Sequence, residues 1–188
     1  MGKTLVSKEA WLRFGLQEFS RSGPQGLKIE NMARMLGTNK SGFYWYFGGR
    51  NEFIREMLEF WRESETRALI TKADEADTVV AKILRLFHLA LEMRHSSGLL
   101  FQLRTHAARD PLFAKVLRAT EQERQNYFRR LLKKLGPTKY PAQQTAEIVY
   151  LYYLGWCDRS QGKSLSKRDV HKQLQILSRL VGVDLSKV

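Results

Sequence analysis

KIENMARMLGTNKSGFYWYFGGRNEF, residues 28–53, is the stretch that decides the fold. Ile29, Met32, Ala33 and Leu36 recur at i, i+3, i+4 and i+7, the spacing of a helix with one buried stripe. Gly37 ends that helix, because glycine accepts left-handed backbone without a Cβ clash and lets the chain turn at once. Thr38 and Asn39 are suited to cap whatever follows. The next helix, about residues 39–47, divides by angle at roughly 100° per residue: Phe43 and Phe47 share one face, with Tyr46 beside it. Ser41, Gly42 and Trp45 point away, and Lys40 and Tyr44 lie on the flank. So short a helix does not hold its shape alone in water, so Phe43 and Phe47 must anchor it on its neighbours. Its exposed face then offers a cation, hydroxyl groups, an indole and a glycine that admits close backbone approach. Those groups suit phosphate and base-edge contacts in the major groove of DNA. The competing reading is an aromatic-rich core helix, which leaves the Gly-turn and capping pattern unexplained.

The run Gly37–Phe53 resembles the recognition region of the tetracycline-repressor (TetR) family of transcriptional regulators. There a Gly turn precedes a short helix containing Tyr and a closing aromatic pair, and a basic residue opens the fourth helix. The resemblance runs continuously from Ser7 to Phe53; beyond it, only length and helical pattern are similar. Tyr46 stands where His is usual, Arg50 where Lys is common, and Gly48-Gly49 replaces a polar cap. The site expected from this region places Asn39, Lys40 and Tyr44 nearest base edges. Lys28, Ser41, Trp45, Tyr46 and Arg50 are expected on phosphates, with Gly42 on the same surface. The resemblance implies a homodimer, formed through the last two helices, on a palindromic double-stranded operator, and a small-molecule effector that releases it.

Charge points to a polyanionic partner without locating it. The formal net charge is +13, yet residues 1–60 hold nine Lys and Arg against six Asp and Glu. Most of the excess therefore lies outside the stretch that resembles a reading head. The densest basic cluster, Arg129, Arg130, Lys133, Lys134 and Lys139, reads first as the solvated face and C-terminal end of a helix. A hydrophobic fraction of 43% excludes general disorder. One cysteine, Cys157, excludes an internal disulfide and fits a reducing compartment. No secretory leader is legible, and the longest apolar run, residues 148–157, is about half of what a bilayer crossing requires. The expected location is cytoplasmic, with no membrane partner.

Helical spacing continues throughout, so the expected class is all-α: an N-terminal three-helix helix-turn-helix domain, residues 1–53, joined to a larger bundle, residues 54–188, with about nine helices in total. Expected helices are 7–21, the two around Gly37, 50–73, 78–94, 99–108, 111–135, 141–161 and 167–181. Ile148–Tyr153 is ambiguous between strand and buried helix, and a helix so apolar all round needs cover on more than one side. Val170, Leu174, Leu177 and Val181 offer the other half of a seam, to be shared with a second copy or closed internally.

The family resemblance, more than any spacing, implies an effector pocket, and Phe87, His88, Phe101, Arg104, Tyr150, Tyr153 and Trp156 are its expected lining. The aromatic content suits an apolar or planar compound. His88, Glu92 and His95 share a helix face, but the H-E-x-x-H pattern is absent, so no metal or other cofactor is expected. Neither a G-x-S-x-G elbow, a P-loop nor a dinucleotide Gly pattern occurs, so no enzyme is expected. The sequence thus reads as a ligand-responsive repressor. A constitutive architectural DNA-binding protein without an effector is the alternative, separated from it by whether the second domain holds a lined cavity.

Overall fold

A computed structural model of the chain describes residues 6–92, 97–137, 140–160 and 166–182. The described elements are α1 (Lys8–Ser22), a 3-10 turn (Gly23–Gly26), α2 (Ile29–Met35), α3 (Lys40–Phe47) and α4 (Arg50–Arg62). A π turn (Glu63–Arg67), α5 (Ala68–Asp74), α6 (Val79–Glu92), α7 (Ser97–Ala107), α8 (Pro111–Leu135), α9 (Ala142–Arg159) and α10 (Lys167–Val181) follow. All regular structure among the described residues is helical, and the ambiguous run Ile148–Tyr153 is part of α9. The chain forms two compact units: one comprises Met1–Ser64 with Gly98–Leu117, the other Glu65–Ser97 with Arg118–Val188.

The first unit is built on aromatic side chains. Phe43 of α3 meets Trp11 of α1 at 5.3 Å between ring centroids, Phe47 at 5.1 Å and Phe53 of α4 at 5.1 Å. These edge-on and tilted arrangements are the ones that ring quadrupoles favour. Met57, Leu58 and Trp61 of α4 extend the same core, joined by Leu99, Leu100 and Leu103 of α7 and Phe113 of α8. The unit therefore reaches past the boundary expected after residue 53. The apolar stripe of α4 does not end there, and α7, distant in sequence, belongs to the same core.

Gly15 lets α1 and α4 approach closely: a Cβ there would sit 2.4 Å from Phe53 Cζ and 2.9 Å from Met57 Sδ. At the start of α1 the Ser7 hydroxyl accepts from Ala10 N at 3.2 Å, satisfying one of the amides that a helix start leaves without a partner.

The second unit packs Phe87 and Leu91 of α6, Tyr127, Phe128 and Leu132 of α8, Val149 of α9 and Leu177 and Val181 of α10. Ser166 and Asp169 form a reciprocal capping box that starts α10, with Gly182 in left-handed conformation at its end. Lys82 Nζ lies 2.9 Å from Asp74 Oδ1 and holds that carboxyl below its ordinary range.

The helix expected without a break from residue 50 to about 73 contains the π turn instead. Ser64 Oγ donates to Trp61 O at 3.3 Å, a local bond that competes with the helical ladder, and buried Thr66 accepts from Arg124 Nε at 3.0 Å. Lys139, the last member of the basic cluster, and the expected break at Gly162-Lys163-Ser164 lie outside the described residues.

The Gly15 contact yields a test of the α1–α4 packing. Gly15→Val should destabilise the protein by about 1–3 kcal/mol, the usual cost of overpacking. Urea denaturation followed by Trp fluorescence reads this directly, since Trp11 and Trp61 are both in that core.

Candidate nucleic-acid interface

Local chemistry makes the turn between α2 and α3. Gly37 (φ 65°) donates to Arg34 O at 3.1 Å while Thr38 N donates to Ala33 O at 2.9 Å. This pair of bonds is a Schellman ending, and its left-handed position is the one where glycine is free of strain. Asn39 then caps α3: its Oδ1 accepts from Ser41 N at 3.1 Å and Gly42 N at 3.3 Å. The carbonyl end of the Asn39 side chain is thus committed to the helix rather than open to a base.

With Phe43 and Phe47 turned inward, Lys40, Ser41, Tyr44 and Trp45 are exposed, Gly42 lies among them, and Tyr46 is half-buried. Tyr44 also touches the Phe43 ring edge-on at 5.4 Å, and Trp45 meets Tyr46 at 4.7 Å. Lys40 Nζ lies 3.6 Å from Glu30 Oε1 of α2, a pair open to solvent and worth about 0–1 kcal/mol. Lys28 is exposed just ahead of α2, and its carbonyl accepts from Met32 N at 3.0 Å. Lys40, Ser41, Gly42, Tyr44 and Trp45 thus lie on the outward side of α3, while Tyr46 packs partly against the core.

Arg50 has a further role that spacing did not show. Its Nη2 donates to Pro24 O at 2.7 Å and its Nε to Leu27 O at 3.4 Å. Gly49, before α4, has no side chain to cap with, as the sequence suggested. The Arg50 guanidinium instead ties the start of α4 to the turn that leads into α2. Glu30 and Met35 are surface residues here that the sequence reading left out; Met35 is 59% exposed and lies off the buried stripe of α2, which is the signal that marks it.

The second unit holds a cavity of about 90 Å³, walled mainly by Leu69, Ile70, Leu86, Phe87, Phe128, Val149 and Leu177. Glu65, Thr66, Arg124 and Gln125 supply its polar lining. Of the residues expected at a ligand site, Phe87, Tyr150 and Tyr153 line it. Burial pushes the Tyr153 phenol above its ordinary value, with the charge of Arg124 opposing. His88 is exposed on α6, and Trp156 packs against the core of the unit rather than the cavity. Phe101 and Arg104 are on α7, in the first unit, so they do not join this lining. The family resemblance placed them in a pocket, but nothing in their spacing told which core their helix would enter.

The His95 ring and the Glu92 side chain lie outside what is described, and no group of three or more His, Cys, Asp or Glu capable of holding a metal occurs among the described residues. Among the same residues, no helix is long and apolar enough to cross a membrane.

No protein-family model matches the sequence. No curated protein matches it either. Solved structures match closely in shape. A putative TetR-family transcriptional regulator from Rhodococcus sp. superposes with a TM-score of 0.74 at 18% identity, covering 93% of this chain and 97% of its own. The reduced form of E. coli NemR gives 0.76 at 18% identity, covering 93% and 96%. A putative transcriptional regulator from Saccharomonospora viridis, solved in complex with choline, gives 0.78 at 14% identity, covering 92% and 95%. The protein has the all-helical fold of TetR-family transcriptional regulators.

Two substitutions test the geometry of this surface. A Cβ at Gly42 would meet no atom within 4 Å, so Gly42→Ala should stabilise the fold by about 0.5–1 kcal/mol, the helix preference of Ala over Gly, while weakening DNA binding. Thermal unfolding and binding measured side by side should move in opposite directions; a gain in both removes Gly42 from the interface. Arg50→Ala should cost stability, about 1 kcal/mol for loss of the carbonyl contacts. It should leave the slope of affinity against salt unchanged, whereas a phosphate ligand flattens it by about one ion.

Proposed function

We propose that this chain is a DNA-binding transcriptional regulator: a homodimeric repressor that a small-molecule effector releases from a palindromic operator. The observation that carries this reading is the face of α3. A short helix is fixed by two phenylalanines with its cation, hydroxyls and indole directed outward, in a chain whose fold is that of known regulators. α3 enters the major groove with Lys40 and Tyr44 at base edges and the Asn39 side-chain amide nitrogen beside them. Lys28, Ser41 and Tyr46 contact phosphates, and Arg50 fastens α4 to the turn before α2 rather than binding phosphate itself.

Exposed apolar residues support pairing of two copies through α9 and α10. Ile148 is 44% exposed, Leu151 59% and Leu180 37%, so these helices carry apolar surface that a single chain leaves in water. A second copy covers it and supplies the second head, and two-fold symmetry in the protein calls for two-fold symmetry in the site. The cavity of the second unit supports an effector. Its mostly apolar wall suits an apolar or planar compound, which has to widen it on entry, since about 90 Å³ is below the roughly 300–1,000 Å³ of a drug-sized site.

Selection of duplexes from a random-sequence library tests the reading: a palindromic motif should emerge, and the protein should sediment as a dimer at micromolar concentration. Leu151→Glu places a charge on the apolar face and should give a monomer that binds the selected palindrome at least tenfold more weakly. Recovery of no preferred sequence would remove the regulator reading, and a monomer that binds the palindrome normally would remove the dimer.

A further inference from the structure

The tryptophans of the first unit divide sharply. Trp11 and Trp61 are buried in its core, while Trp45 on α3 is 77% exposed. Trp45 is held nonetheless, by the Tyr46 ring meeting it edge-on at 4.7 Å. Gly42 is three residues earlier, on the same face of the helix, and its surroundings give the fold no need of a glycine. A Cβ there meets nothing within 4 Å, and its φ is not positive. The surface is therefore a step, with bare helix backbone beside a braced and projecting indole.

An indole carries one donor and no acceptor, so it reads the hydrogen-bond pattern of a base edge poorly. Most of its area is apolar, and the one apolar group that base pairs display in the major groove is the thymine 5-methyl. We propose that Trp45 is a specificity residue, its ring packing on thymine 5-methyl groups of the operator while Gly42 lets the DNA approach the helix. The proposal rests on the DNA-binding reading above and replaces the phosphate role that sequence suggested for Trp45.

Replacing thymine by deoxyuridine removes the methyl and leaves the base-pairing edge intact. Thymines of a duplex enriched from a random library are replaced one at a time, and dissociation constants are measured for the wild-type protein and for Trp45→Ala. At one or two positions per half-site the wild type should lose about fourfold per methyl, the equivalent of one buried apolar carbon. Trp45→Ala should bind the thymine and uracil duplexes alike, with its thermal unfolding unchanged because the side chain is exposed. Indifference of the wild type to uracil at every position overturns the proposal, as does a Trp45→Ala variant that keeps the full thymine preference. Enrichment of no duplex at all overturns the DNA-binding reading and this proposal with it, an outcome distinct from tight binding that ignores the methyl.

Discussion

The burial of Phe43 and Phe47 against Trp11 and Phe53 is the constraint on which the rest depends. α3 has eight residues, too few to persist in water on local hydrogen bonds. Its rotation about its own axis is set by which side chains it buries. With Phe43 and Phe47 turned into the core, Lys40, Ser41, Tyr44 and Trp45 are left outside, and no separate interaction is required to aim them. The core that fixes the helix therefore also chooses the groups it presents. Truncating either ring would create a cavity and release the orientation together, so stability and recognition are coupled at these positions.

Three local devices keep the framework of α3 rigid. The Schellman ending at Gly37 sets the angle from α2, and Asn39 caps the new helix. Arg50 fastens the beginning of α4 to the carbonyls of Pro24 and Leu27. The last of these compensates for the Gly48-Gly49 junction, where the usual polar cap is missing. A planar guanidinium with several donors in fixed directions can bind two carbonyls at once, which a lysine ammonium does less well. Arginine at this position is thus explained by the protein itself before any phosphate is considered.

What was legible in the sequence was mostly what is local. Gly37, Asn39 and the inward pair Phe43 and Phe47 follow from spacing and turn chemistry, and each takes its expected place. α10 spans Lys167–Val181, the range that helical spacing indicates. What was not legible depends on partners far along the chain. Nothing in the α7 segment tells that Leu99, Leu100 and Leu103 complete the core around α1, so Phe101 and Arg104 were expected at a pocket in the other unit. The π turn was hidden for a related reason: Thr66 has a partner in Arg124, 58 residues away. Arg50 combined both cases, its identity visible and its acceptors, 23 and 26 residues earlier, not. The net charge of +13 was the least informative signal, since little of it falls on the surface that α3 presents.

Dimethyl sulfate footprinting tests the central claim most directly, because it reports access to guanine N7, which lies in the major groove. With the full chain bound to its preferred duplex, the account predicts guanine protection in two clusters about one helical turn apart. Protection should be lost when Lys40 and Tyr44 are both replaced by Ala. Tight binding that leaves every guanine N7 open to methylation would contradict a reading head that places α3 in the major groove.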